Sequence, residues 1–418
     1  MKKQHLILLC LLFFYIISGM EAQSEAAAEN ECITGLVIHG LKRTKLSTAE
    51  RSLKNFIGIE ADKLDQNEVW AAVMNTGILE PLSIEIQNSE IEGKVLVVTV
   101  KEKWSIFPVP VVMFGSEGFS AGAVLFDANA FGLNDKLFLG GLYLHGGWAV
   151  TAGYFHASPG GRIPGLNGMF AFSREGRKDV DQNNNVLRSF EQDSISVMAG
   201  LSFNLPGNSN LLSASTSFSY NEKILRDSEN AVNGPETGVR SFNTGLSFSI
   251  NRNSWDGYFL SEEGASLHYS FSITTDGGFF QSIGLRAVWE KSLIPGFRLV
   301  TRTGLVLNPK ASIFFESSPS GAQVDILPNS FSALHYAGVS AGFEKYLFKF
   351  PIGILSITAS YQLVYSNGSI LGDSLDHGIA GKFSFYLSQL AIPAIGLGAA
   401  YNVKENYFQG IFSMGMSF

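Results

Sequence analysis

Apolar residues are plentiful in this chain but almost nowhere consecutive, and that distribution limits the folds open to it. Hydrophobic residues make up 45% of the sequence and charged residues 16%, with 44 glycines and 33 phenylalanines. Beyond the N-terminal segment, no uninterrupted apolar run approaches the roughly 20 residues that a spanning helix requires. From Ser105 onward the apolar residues recur at every second position instead. Leu212, Ala214, Thr216, Phe218 and Tyr220 alternate with Ser213, Ser215, Ser217 and Ser219. At the C-terminus Phe408, Gly410, Phe412, Met414, Met416 and Phe418 share one face, and Gln409, Ser413, Gly415 and Ser417 share the other. Such strands suit a sheet with lipid on one side and a polar lumen on the other. In lipid only helices and closed sheets satisfy every backbone hydrogen bond. The predicted fold is therefore an all-β transmembrane β-barrel over residues 105–418. Its soluble rival is a large β-sandwich or propeller, and no blade-length repeat supports the propeller.

At roughly ten residues per spanning strand plus connections, residues 105–418 allow about 14 to 16 antiparallel strands, and our division gives about sixteen. The polar stretches Arg174 to Arg188, Lys223 to Glu236 and Asn308 to Asn329 are expected as the long extracellular loops. Gly146-Gly147, Asp276-Gly277-Gly278 and Pro295-Gly296 are expected as tight hairpin turns, some of them periplasmic.

The N-terminus carries a different signal. Lys2 and Lys3 precede an apolar stretch from Leu6 to Ile17, followed by small and polar residues from Gly19 to Ser24. This is the anatomy of a secretory signal, too short to span a bilayer as a helix. Cleavage after Ala22 defines a signal peptide at 1–22 and a linker at 23–31, with Ala26-Ala27-Ala28 as the alternative site. Export leaves one cysteine, Cys32, which cannot form an internal disulfide. The net charge of −7 gives no electrostatic footprint for nucleic acid.

Residues 32–103 read as a small α+β domain of order β-α-α-β-β. Ile33 to His39 is a strand ending at Gly40. Leu46, Ala49, Leu53 and Phe56 mark a helix within Thr44 to Phe56, and Leu64, Val69, Ala72 and Val73 mark a second within Asp62 to Asn75. Gly77 stands just past that helix, where helices commonly stop. Leu82, Ile84 and Ile86 alternate along a strand, and Lys94 to Val100 is a β-branched strand completing a hairpin.

This order, with Gly40, the "NTGIL" stretch at Asn75 to Leu79 and the closing "VLVVTVKEKW", resembles a POTRA domain. Thr76-Gly77-Ile78 stands where that family has Thr-Gly-aromatic, and Val100-Lys101-Glu102-Lys103 matches its terminal pattern. Three barrel stretches resemble the BamA/TamA group, the bacterial surface antigen family. In "GAVLFDANAFGLNDKLFLGG", Asn129, Phe131, Gly132 and Asp135 match an early hairpin. In "FSINRNSWDGYFLSEEGASLHYSFSI", Asn251, Arg252, Asn253 and Gly264 match a mid-barrel hairpin, with Ser261 replacing the expected proline. The last strand, with Phe412, Met414, Met416 and Phe418 on one face, is similar to the aromatic-ended insertion signal of outer-membrane barrels.

The resemblance implies an Arg-Gly-aromatic motif on a loop folded into the lumen, its arginine meeting an acid on a neighbouring strand. Here His335 falls at the arginine position and Ser366 at the acidic one, and no arginine follows Arg302. A degenerate lock at His335 and Ser366 is one reading. The other takes His335 as a simple loop residue.

Conventional catalytic signals are missing. His39, His145, His156, His268 and His377 are scattered singly, without metal-ligand spacing, and no phosphate loop or nucleophile elbow occurs. Neither enzymatic activity nor a cofactor or metal is expected. The resemblance implies assistance in assembly, insertion or translocation of other proteins at the outer membrane, with the first domain in the periplasm. Expected partners are outer-membrane lipid and unfolded outer-membrane clients or periplasmic accessory proteins. The strand carrying Leu82, Ile84 and Ile86 would offer an edge to a client strand. A passive structural, adhesive or pore-forming barrel is the alternative.

Overall fold

The computed structural model describes residues 32–89, 93–115, 118–144, 147–156, 164–180, 186–204, 212–229, 238–309, 315–328, 331–369, 372–391 and 394–415. The predicted signal peptide and linker, Met416 and Phe418 lie outside the described residues.

The first domain follows the predicted order: β1 (Ile33–His39), α1 (Leu46–Leu53), α2 (Gln66–Met74), β2 (Leu79–Ser89) and β3 (Gly93–Glu102). Asp65 caps α2 by accepting a hydrogen bond from the Asn67 N–H at 2.8 Å, satisfying one orphan donor of the first turn. The sheet order is β1-β3-β2, with β1 parallel and β2 antiparallel to β3. Ile33, Leu53, Val69, Val73, Leu79, Leu96 and Val98 form its core. Gly40, at φ +95°, lies so close to Val100 that a Cβ would sit 1.9 Å from its carbonyl oxygen.

One alternation fails. The register slips between Pro81 and Ser83, so Leu82 is the extra residue of a bulge and is 56% exposed, whereas Ile84 is buried against β3. Proline cannot donate to a ladder and favours such irregular edge positions. Leu82 therefore does not share a face with Ile84 and Ile86.

The barrel is a sixteen-stranded meander. Its strands are β4 (Ile106–Gly115), β5 (Gly118–Ala130), β6 (Asp135–Leu144), β7 (Gly147–His156), β8 (Gly165–Val180), β9 (Val186–Asn204), β10 (Leu212–Glu229) and β11 (Gly238–Trp255). They continue as β12 (Leu260–Thr274), β13 (Phe279–Ile294), β14 (Phe297–Leu307), β15 (His335–Phe350), β16 (Gly353–Asn367), β17 (Ser374–Leu387), β18 (Ala394–Asn402) and β19 (Tyr407–Gly415). Each pairs antiparallel with its sequence neighbour. On β16, Ile357, Tyr361, Leu363 and Tyr365 face outward and are exposed, while Ser356, Gln362, Val364 and Ser366 face inward and are buried. No described helix is long and apolar enough to cross a membrane. The outward apolar face and the sheet together make a transmembrane β-barrel.

Two expected loops are strand at their described residues. β8 runs to Val180 and β9 starts at Val186, and β10 runs to Glu229. Cross-strand polar pairs continue these ladders beyond the apolar band: Arg174 Nε to Asp193 Oδ1 at 2.8 Å, Gln192 to Glu175 at 2.8 Å and Arg240 to Glu222 at 2.5 Å. The third, between β14 and β15, turns back into the barrel.

Candidate functional site: the seam, the lumenal loop and the domain junction

The first and last strands lie side by side, but no ladder joins them among the described residues. Three further features organise the barrel interior and its domain-proximal mouth.

The first is the loop between β14 and β15. Pro319, Gly321, Ala322, Val324, Ile326 and Leu327 are buried against inward-facing residues of the wall. The approach to β14 and β15 needs Gly304 and Gly338, since a Cβ at either would lie 2.3 Å from a loop carbonyl oxygen. Asp325 is the polar centre. Its N–H donates to Gln362 Oε1 at 2.6 Å, and its Oδ2 accepts from Gln362 Nε2 at 3.1 Å. Gln409 of β19 donates to the carbonyls of Asp325 and Leu327, the latter at 2.8 Å. The loop thus ties β16 to the last strand.

Neither His335 nor Ser366 takes part in this contact. His335 is the first residue of β15, where its Nδ1 accepts the Asn308 N–H at 3.2 Å. Ser366 lies opposite Tyr336, and its buried hydroxyl has no partner among the described residues. The loop tip lies about ten residues earlier than His335, as an amide-carboxylate contact rather than a guanidinium-carboxylate one. Nothing in residue type marked Asp325, Gln362 and Gln409. Only the inward phase of Gln362 and Gln409 on their strands was available.

The second feature is a buried ion cluster at the domain-proximal end, missed in the sequence. Arg298 Nη1 donates to Glu290 Oε2 at 2.6 Å and Nη2 to Glu344 Oε2 at 2.7 Å. Nη2 also reaches Tyr386 Oη at 2.9 Å, Nη1 reaches the Leu260 carbonyl at 3.0 Å, and the guanidinium lies 4.7 Å from the Phe259 ring centroid. Tyr386 donates to Glu344 at 2.7 Å and Ser356 donates to it at 2.5 Å. Neighbouring strands from β12 to β17 are riveted together. Arg298, Glu290 and Glu344 are buried at the inward phase of β14, β13 and β15, and that phase is the signal the sequence offers for them.

The third feature is the domain junction, where the two family-like hairpins lie. Asn129 Nδ2 donates to Thr44 Oγ1 at 2.9 Å, and Lys45 N–H donates to the Gly132 carbonyl at 3.0 Å. Gly132, at φ +72°, packs so that a Cβ would meet the Arg43 carbonyl oxygen at 2.3 Å. Phe131 points outward, 67% exposed, edge-on to Tyr154. Arg43 grips Asp127 through both guanidinium ends, at 3.1 and 2.7 Å, and also donates to Ser105 at 2.8 Å. Asn253 Nδ2 meets Asn75 Oδ1 at 2.5 Å, so the domain also touches β11. Asn251 donates to Glu262 at 3.0 Å, Arg252 lies opposite Glu263, and Gly264 lies opposite Asn251. The first hairpin and Asn253 therefore hold the domain, while the other three residues sit within the β11–β12 pair.

Within the docking segment, Glu102 accepts the N–H groups of Lys42, Arg43 and Thr44 at 2.9, 2.9 and 2.6 Å. Burial pushes its carboxyl up, but the bonds from Arg43, Lys42 and Thr44 outweigh this and hold it below the usual carboxylate range.

On β19, Phe412 faces outward opposite Leu397, and Met414 is paired with Ile395. No group of His, Cys, Asp and Glu suited to a metal occurs among the described residues.

No family model matches the chain, and no curated protein matches it. Solved structures do. BamA from Haemophilus ducreyi lacking POTRA domains 1-3 superposes with a TM-score of 0.51 at 14% identity, covering 93% of this chain and 86% of that one. CdiB from Acinetobacter baumannii gives 0.59 at 14% identity, covering 91% and 73%. CdiB from Escherichia coli gives 0.59 at 13% identity, covering 92% and 74%. A sixteen-stranded barrel that carries a β-α-α-β-β domain at its mouth and a loop folded into its lumen has the fold of the BamA/TamA-like barrels.

Proposed function

We propose that the protein resides in the outer membrane, with its POTRA-like domain in the periplasm, and assists assembly, insertion or translocation of other polypeptides there. The observation that carries this reading is the seam between β4 and β19, unladdered among the described residues, which leaves strand edges for an incoming chain. β2 is an edge strand of the domain sheet, so Ile84 and Ile86 lie on a strand that a client can extend, with the bulge at Leu82 limiting the length of the match. Clients are unfolded outer-membrane proteins, periplasmic accessory proteins are the second partner class, and neither catalysis nor a cofactor is involved. Cysteine pairs placed across β4 and β19, crosslinked during depletion and re-expression of the chain, test the role. Loss of a defined set of outer-membrane proteins that returns only with the uncrosslinked form is expected. An unchanged membrane proteome on depletion sinks the reading.

A passive structural, adhesive or pore-forming barrel is the second reading. It is favoured by Asp325, which ties the loop to β16 and β19 without the charged lock of the family. That reading predicts full function with the seam crosslinked.

A further inference from the structure

Among the described residues the end strands share no ladder, yet the barrel is closed at its domain-proximal end by residues outside both of them. Trp104 N–H donates to the Gln389 carbonyl at 2.7 Å, and the Trp104 carbonyl accepts the Ala391 N–H at 3.0 Å. Trp104 and Leu390 thereby form a parallel bridge. Trp104 lies in the connection between the domain and β4. Gln389, Leu390 and Ala391 lie in the connection between β17 and β18, on the other side of the seam. The link therefore reaches past β19 and fastens one lip of the seam to the other.

Apolar packing follows the same path. Leu390, Ala391 and Ile395 join the cluster that holds Phe107 and Val109 of β4, Phe126 and Ala128 of β5, and the domain core. The segment bearing Trp104 is itself held by the domain and by β5. Lys103 N–H donates to the Ile78 carbonyl at 2.9 Å, and the Ser105 carbonyl accepts the Ala128 N–H at 2.8 Å. Arg43 holds the Ser105 hydroxyl and the Asp127 carboxylate together, and Glu102 organises the backbone on which Arg43 sits. The Trp104 side chain is 67% exposed, so the segment is held by its backbone bonds rather than by burial of the indole.

We propose that residues 102–105 form a latch: the bridge from Trp104 to Gln389 and Ala391 closes the seam, and docking of the domain through Arg43 sets how tightly it closes. If β4 parts from β19, both backbone bonds at Trp104 break. While Arg43, Ile78 and Ala128 hold its neighbours, Trp104 stays ordered for rebinding, so the closed state pays little entropy to re-form. Releasing the domain removes that order. Seam opening and domain displacement are therefore one coupled motion. The inference shares the seam with the proposed function but is read without any client, so the failure of one is distinguishable from the failure of the other.

Amide hydrogen exchange on the full chain in lipid nanodiscs tests it. In a Cys32→Ser background, Trp104→Cys with Leu390→Cys places a disulfide across the bridge. Oxidised protein is expected to exchange at least about tenfold more slowly than its reduced form over residues 106–115 and 407–415, with residues 242–306 unchanged. Equal exchange in the two redox states overturns the latch, and so does failure of the disulfide to form, since the segments would then not be neighbours. Arg43→Ala is expected to speed exchange at Trp104, at Ala391 and along β4 and β19 by a similar factor. Wild-type exchange there overturns the coupling to the domain.

Discussion

Arg298 and Glu102 each decide a local structure through hydrogen bonds that a neutral residue cannot reproduce. Arg298 is almost wholly buried among Glu290, Glu344 and Tyr386. A buried ion pair gains little over an apolar replacement, but removal of one partner leaves an uncompensated charge. Arg298→Ala is expected to destabilise the barrel by about 3–5 kcal/mol, because Glu290 and Glu344 lose their shared cation. The loss is read as a fall in the temperature at which the folded band disappears on unheated gels. Arg298→Ala with Glu344→Gln should recover part of it. Glu102 acts in the domain. Its folded pKa lies below its ordinary value, so its contribution is present above that value and is lost as pH falls through the folded one. Protease cleavage within residues 41–45 should therefore rise on acidification below about pH 4, near the usual carboxylate value. In Glu102→Gln the segment should be cut readily even at neutral pH, with a flat pH profile.

Among the elements, legibility tracked periodicity. The period-two strands and the two helical stripes of the domain mark the elements, although Leu46 of the first stripe is 52% exposed and Phe56 and Leu64 lie outside α1 and α2. What periodicity could not show was pairing between distant elements. Leu82 alternates with Ile84 and Ile86 in sequence, yet Pro81 introduces a bulge that removes it from their face. The loop between β14 and β15 reads as long, and the family resemblance sets His335 at the lumenal arginine position, with a simple loop residue as the other reading. The contact is made by Asp325, whose partners Gln362 and Gln409 are unremarkable amides at inward positions. Arg174 and Glu175 fall in a polar stretch that reads as loop, while their partners across the ladder keep them in strands. The loop supplies its own prediction. Gln409→Ala leaves the carbonyls of Asp325 and Leu327 without that donor, at a cost of about 1–3 kcal/mol. Faster amide exchange over residues 315–328, with β8 to β11 unchanged, is the expected outcome. Unaltered exchange there would show that apolar packing of Ile326 and Ala322 alone holds the loop.

For the whole molecule, the question is whether the lumen is a route or a packed interior. On the distal side, Ser217, Asn243, His268 and Phe280 line an open cavity bounded by Asn308 and Phe315. Deeper in, Ala322 and Ile326 pack against Gly338 and Gly378, so the loop occupies the space in front of β14 to β19. At the other end the domain is seated on both the β5–β6 hairpin and Asn253 of β11. A solute crossing the barrel must therefore pass the loop and then the domain. Water-filled barrels conduct because their interiors are open along the whole axis, whereas here the loop packs inside the wall and the domain is seated at the mouth. The wild-type chain in planar bilayers should be electrically silent or only flicker. Deletion of residues 318–328 should produce long-lived openings, and Asn253→Ala with Arg43→Ala should increase their size by freeing the mouth. Steady conductance in the wild type would overturn the obstructed lumen and favour the pore-forming reading over assembly or translocation. Silence in the deletion variant, with the barrel still folded by gel mobility, would locate the barrier in the domain rather than the loop.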